Sequence, residues 1–302
     1  MSFLKGTIGA ALLACAPASY ACAQGTPATP ASYAQDGQPY APAFDVWYET
    51  VMPGRALPIT LPPGMTLDID GQSWSEAWRA PATAQTLKAT LRERGERVAD
   101  LTIFVLEPHA NIDAKGWLNG YRIGKYPKNP PEGFIRLDSA ADREHRISPH
   151  FKLGQFLCKQ QPDHWPKYVV VSQDNTRRLE ALLRSLNADN TTDAKTFFVM
   201  SGFRTPFYNS AIGSAKFSRH MYGDAADIYV DYKPRNGNMD DLNGDGKVNK
   251  ADANWLYDYA QRLFRKRKDL PKGGIGSYKA NAVHGPFVHV DGRGREARWG
   301  RG

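Results

Sequence analysis

Ser218-Arg-His220-Met-Tyr-Gly223-Asp-Ala-Ala-Asp227 sets a histidine and a carboxylate seven positions apart among small residues. Taken alone, that spacing also fits a surface histidine beside an acid at a turn. Its chemical reading is a metal site, because a neutral imidazole offers one nitrogen lone pair and an aspartate one hard oxygen. Catalytic zinc takes three such protein ligands and leaves the fourth position to water. The third ligand is expected to be His289, in Gly285-Pro-Phe-Val-His289-Val-Asp291, where Phe287, His289 and Asp291 alternate and would share one face of a strand. His150 and His164 are ligands by residue type only, and single histidines near prolines read as structural.

Upstream lies Phe197-Phe-Val-Met-Ser201-Gly202-Phe203-Arg204-Thr205-Pro206. Ser-Gly-Phe-Arg, then Ser-x-His-x-x-Gly-x-Ala-x-Asp, then Val-His-Val-Asp followed by Arg-Gly-x-x-Ala-Arg-Trp, resembles the zinc D-alanyl-D-alanine carboxypeptidases. That family is related in structure to the hedgehog and lysostaphin-type peptidases. The resemblance spans roughly residues 148–302. It implies that His220, Asp227 and His289 ligate zinc and that the substrate is a peptidoglycan stem peptide, cut at or near a D-alanine bond. It also implies that Arg204 stabilises an oxyanion or holds a substrate carboxylate, a structural salt bridge being the alternative. Ser218 and Asp291 are then groups that orient ligand histidines. Many relatives carry a glutamate three residues before the last histidine ligand, where this chain has Pro286. The expected base is therefore His284, since an unperturbed imidazole titrates near neutrality; otherwise the base is Asp291 or is missing. A non-catalytic zinc protein that binds peptidoglycan is the reading that follows from a missing base.

Between the halves of this constellation runs Asp241-Leu-Asn243-Gly-Asp245-Gly246-Lys247-Val-Asn249-Lys-Ala-Asp252. Oxygen ligands at loop positions 1, 3, 5, 9 and 12, the Lys247 carbonyl at 7 and a glycine at 6 match an EF-hand-type calcium loop. It resembles the dockerin variant, because position 12 is aspartate. A solvated Asn/Asp/Gly turn is the plain alternative. A structural calcium is expected, with Asp252 also N-capping the next helix, where Trp255, Leu256, Tyr259 and Leu263 form an apolar stripe. A calcium-dependent adhesion or scaffold module is the third functional reading.

The elements that must position these residues follow from patterning. The chain has 302 residues and a net charge of +8, with its basic residues scattered apart from Arg262 to Lys268. Such charge suits anionic surroundings, and no nucleic-acid-binding motif accompanies it, so no nucleic-acid partner is expected. Residues 1–23 read as an export signal, with Lys5, an apolar run to Cys15, and Ala21-Cys22-Ala23 as the cleavage site. The protein is thus expected to be periplasmic or secreted, and membrane-anchored only if Cys15 is lipidated. Residues 24–43, rich in Ala, Pro, Gln and Ser, read as a flexible tether.

Residues 44–137 alternate in short apolar runs, which predicts a small all-β, sandwich-like domain. Its strands are expected at Val46–Tyr48, Leu57–Leu61, Met65–Ile69, Leu101–Leu106 and Gly120–Gly124, with Tyr121 to Phe134 leading into the second domain. Trp47, Trp74, Trp78 and Trp117 read as core residues, a sugar-stacking platform being the alternative. Residues 138–302 form the peptidase domain, with an antiparallel sheet and flanking helices, so the whole chain is α+β. A helix is expected from Asp174 to Asn187, with Leu179, Leu182, Leu183 and Leu186 on one face. A buried strand at 197–200 and a short helix capped by Thr205-Pro206 follow. Cys158 reads as a small buried apolar group.

Overall fold

The computed structural model describes residues 39–302. The expected signal and most of the tether lie outside the described residues. Chain packing has begun by Tyr40, which lies within the stretch read as a tether, is buried and donates to the buried Glu49 carboxylate at 2.9 Å.

The first half is built on one five-stranded sheet in the order β1-β5-β4-β2-β3. Its strands are β1 (Val46–Val51), β2 (Met65–Ile69), β3 (Gln72–Ser73), β4 (Gln85–Glu93) and β5 (Glu96–Val105). β1 runs parallel to β5, and the other pairs are antiparallel. The segment's other main sheet is completed only by a strand from the second half. Leu57 and Ile59 are buried but lie in extended coil, where Pro58 has no amide hydrogen for a ladder. β4 was not picked out in the sequence, although Leu87, Ala89 and Leu91 alternate with polar residues as a half-buried strand does.

β6 (Glu107–Pro108), β9 (Gly133–Leu137) and β10 (Lys167–Val169) form a three-stranded sheet, and β7 (Trp117–Leu118) pairs with β8 (Tyr121–Arg122). β10 pairs with β9 across the expected domain boundary at residue 138. Tyr121, Ile123 and Phe134, read as part of a linker, are fully buried. The Gln173 side chain also bonds the Tyr48 carbonyl at 2.6 Å. The two halves therefore share one continuous apolar core.

The second half is organised on the sheet β11-β12-β14-β13-β15. Its strands are β11 (Phe198–Ser201), β12 (Ala225–Tyr229), β13 (Gly274–Tyr278), β14 (Phe287–Asp291) and β15 (Ala297–Trp299). All pairs are antiparallel except β13 with β15. β11 was expected to be buried, yet it is the edge strand, with Phe198 42 % exposed and Phe197 the residue turned into the core.

Helices α1 (Gln173–Ala188) and α3 (Lys250–Lys266) pack on β14, and α3 also packs on β13. Along α1, Leu179, Leu182, Leu183 and Leu186 are all buried. Each such leucine contributes about 1.5–3 kcal/mol of burial, enough to hold the helix on the sheet without strong intrinsic propensity. Thr205 caps the short α2 (Pro206–Ala211) through its hydroxyl, with Pro206 at the first helical position. Among the described residues, no helix is long and apolar enough to cross a membrane.

Candidate metal centre

Alternation in the central strands divides their side chains between two faces. Ala226 and Ile228 of β12, with Val288 and Val290 of β14, join the shared core. Asp227 and His289 are direct cross-strand partners, so they stand side by side on the opposite face. His220 reaches the same point from a single turn at 219–222 that ends at Gly223, whose φ of 69° favours glycine. Gly223 also has the Val170 carbonyl where a side chain would begin, so only glycine fits beside β10 there.

The three side chains are buried, and their ligand atoms lie within 4.8 Å of one another. His220 Nδ1 faces the Gly202 carbonyl at 2.7 Å and so carries the hydrogen, which leaves Nε2 as a lone pair 3.3 Å from Asp227 Oδ1. His289 Nε2 faces Asp291 Oδ2 at 3.1 Å, which leaves Nδ1 toward Asp227 Oδ1 at 2.8 Å. Tetrahedral zinc with bonds of roughly 2.0–2.2 Å needs ligand atoms roughly 3.3 Å apart, so the donor set fits zinc in both chemistry and spacing.

Arg204 donates from Nη2 to Asp227 Oδ2 at 2.6 Å, from Nε to Ser201 Oγ at 2.8 Å and from Nη1 to Ser214 Oγ at 3.3 Å. It thereby holds the second oxygen of Asp227, leaving Oδ1 to face both imidazoles. Of the two sequence readings of Arg204, the structure displays the salt bridge. Asp291 is fully buried and accepts from the Gly274 amide, from His289 and from Arg293 at 2.5 and 2.8 Å. Ser218 begins the turn that carries His220, makes no side-chain cap bond, and leaves the Gly202 carbonyl as the group that orients that imidazole.

Burial opposes the ionised form of Asp227, but the neighbouring imidazoles overcome it and hold the carboxyl well below its usual range. Burial also works against protonated His289, and its bonds to Asp227 and Asp291 reverse that, raising it to about 9. His220 is pushed down, by burial first, against the attraction of Asp227. Without a metal, both His289 nitrogens thus donate to carboxylates, and a metal ion held by this group would displace the hydrogen on Nδ1.

His284 is not brought into this group. Its Nδ1 faces the Gly285 carbonyl at 2.8 Å, its Nε2 faces Asn281 Nδ2 at 2.9 Å, and its ring packs edge-on against Phe287. His150 pairs with the buried Glu180, and His164 stacks on Tyr121 and bonds the Asn119 carbonyl, so both are engaged in packing. Cys158 is buried and its thiol is pushed up by that burial.

The loop 241–252 closes on its own backbone. Asp241 accepts from the amides of Gly244, Asp245 and Gly246, Asn243 from Asp245, and Asp245 from Lys247. Asp252 accepts from the amides of Leu242, Asn243 and Asn249. The helix cap is Asn249, and Asp252 is the third helical residue of a capping box, which corrects its expected role as N-cap. Among the His, Cys, Asp and Glu side chains of the described residues, only His220, Asp227 and His289 form a group of three close enough to share an ion.

The sequence reading quoted Ser201, Gly202, Arg293 and Trp299 within motifs without giving them a role, and it passed over Ser214 and Tyr278. The serines and Gly202 act through bonds that no spacing rule encodes. Tyr278 was findable, because Gly274, Gly276 and Tyr278 repeat the alternation seen in His289 and Asp291. No curated protein matches the chain. Residues 149–241, which hold two of the three clustered ligands, match the Peptidase M15 family, whose members are zinc-dependent.

Proposed function

We propose that the protein is an exported zinc peptidase that hydrolyses peptidoglycan stem peptides at or near D-alanine bonds. The observation that carries this reading is the convergence of His220 Nε2, Asp227 Oδ1 and His289 Nδ1 on one point of an M15 segment, each tautomer fixed by an outer partner. Zinc held there supplies a Lewis acid that polarises a carbonyl and lowers the pKa of a water toward neutrality.

The chain's own residues supply the rest. Arg204 fixes Asp227 in a one-oxygen presentation, and Asp291 keeps the hydrogen of His289 on Nε2. Of the two bases weighed from sequence, His284 is favoured over Asp291. Asp291 is buried and already takes hydrogens from Gly274, His289 and Arg293. His284 stands on Phe287, two residues along the strand from His289, and breaking its Asn281 bond frees Nε2 to accept a proton from water and pass it to the leaving amine. The 241–252 loop belongs to the same proposal as a structural calcium site, supported by its ligand spacing. Export rests on the signal-like residues 1–23, which lie outside the described residues.

Mass spectrometry of muropeptides treated with the zinc-loaded full chain tests the activity. Release of D-alanine or cleavage of a cross-link, abolished in His220→Ala and strongly reduced in His284→Ala, is expected. Intact muropeptides with stoichiometric zinc would show a binding protein instead.

A further inference from the structure

Tyr278 sits at the end of β13 on the face that carries the ligands, one cross-strand position from Phe287 and two residues beyond Gly276, the partner of His289. Its ring stacks on Phe287 with centroids 4.5 Å apart and planes at 6°. Its oxygen accepts a hydrogen bond from Trp299 Nε1 at 2.8 Å. Trp299 in turn lies directly over Gly276, where any Cβ would overlap the indole, and its ring meets His289 at 5.2 Å. Glycine at 276 is thus what lets the indole lie on the sheet beside the ligand histidine.

This arrangement has a directional consequence. A phenol oxygen that already accepts from an indole N–H has its own hydrogen left to give. Tyr278 is 38 % exposed, so its edge is open to an incoming molecule, and it lies within electrostatic reach of Asp227 and Arg204. We propose that Tyr278 is a further catalytic residue, whose hydroxyl donates a hydrogen bond to the substrate carbonyl oxygen as negative charge develops on it. The inference rests on the peptidase reading above. It also supplies a donor where Arg204, turned onto Asp227, Ser201 and Ser214, is otherwise occupied. Burial and the nearby Asp227 charge push the phenol up, against the indole bond, which keeps its hydrogen in place at neutral pH.

The test compares wild type, Tyr278→Phe, Trp299→Phe and His220→Ala as zinc-loaded full chains. The readouts are steady-state kinetics on pentapeptide muropeptides and calorimetric binding of a phosphinate analogue of the D-alanyl-D-alanine bond. Phenylalanine keeps the stack on Phe287, so zinc content and melting temperature are expected to stay at wild-type values. The expected result for Tyr278→Phe is a kcat about 10–100-fold lower with KM nearly unchanged, and a matching loss of phosphinate affinity. Trp299→Phe is expected to lose less, because the hydroxyl remains but is no longer aimed. Unchanged kcat and phosphinate affinity in Tyr278→Phe, with an active wild type, overturns this inference alone. A wild type that neither cleaves nor binds the phosphinate overturns the peptidase reading and this inference together.

Discussion

Two regions of the molecule read as cation sites from sequence, and they are built in opposite ways. The His220, Asp227 and His289 cluster draws its members from a turn and two strands separated by up to 69 residues of chain, and it is buried. Its atoms point at one another because other groups have taken their second valences: Gly202 on His220, Asp291 on His289 and Arg204 on Asp227. The 241–252 loop draws its oxygen-bearing side chains from one contiguous, half-exposed stretch, and its carboxylates already bond backbone amides of the same loop. The lesson is that a recognisable ligand spacing and a prepared site are different properties. The loop is legible in sequence, whereas the cluster is preorganised in space.

The sharpest way to break this contrast is to remove one member of each region. Asp227→Ala should lower zinc affinity by more than the roughly 10–100-fold typical of losing an outer partner, with loss of any hydrolysis. Asp241→Ala should leave zinc content at the wild-type value. Metal analysis of both purified variants checks the pair, and equal zinc loss would mean that the two regions are not independent.

The outer bonds are tested next. Asp291→Asn keeps the size of the side chain but removes the charge that holds His289 Nε2–H. Zinc affinity, measured by competition with a chelator, should fall by roughly 10–100-fold. The fold should persist, since Gly274 and Arg293 still have a side chain to meet.

Asp252 sharpens the other arm. It is fully buried and accepts from three amides, so Asp252→Ala should cost about 1–3 kcal/mol in urea unfolding while leaving zinc binding intact. If the loop binds calcium, the wild-type melting temperature should rise with added calcium and that of Asp252→Ala should rise less.

Glu49 gives the smallest effect and serves as a foil for Asp227. Both carboxyls are buried, but Glu49 meets only Tyr40 and Gln173, and burial pushes it up to about 7 despite those two hydrogen bonds. A carboxyl with a raised pKa lends full stability below its ordinary range and loses it as pH rises through about 7. Glu49→Gln should therefore gain on the order of 1 kcal/mol relative to wild type at pH 8 and nothing at pH 4. A pH-independent difference would contradict that reading.

Much of this could be read from residues alone, for reasons that differ by element. α1 and α2 were legible because a leucine stripe and a Thr-Pro cap are local signals. The pairing of Asp227 with His289 followed from alternation in β14 together with the resemblance. The first-half architecture was not legible, since parallel pairing of β1 with β5 depends on contacts that local pattern does not encode. Local pattern likewise does not encode that β10 completes a sheet begun by β6 and β9. At the site, the orientation of Arg204 toward Asp227 and of Tyr278 toward Trp299 depends on three-dimensional placement of Ser201, Ser214 and Gly276.

The central claim is that three donors from distant segments share one zinc ion. Anomalous diffraction at the zinc absorption edge from crystals of the zinc-loaded full chain tests it directly. The account predicts one strong peak bonded to His220 Nε2, Asp227 Oδ1 and His289 Nδ1 at about 2.0–2.2 Å. A peak at any other set of side chains, or none between these three, would contradict it.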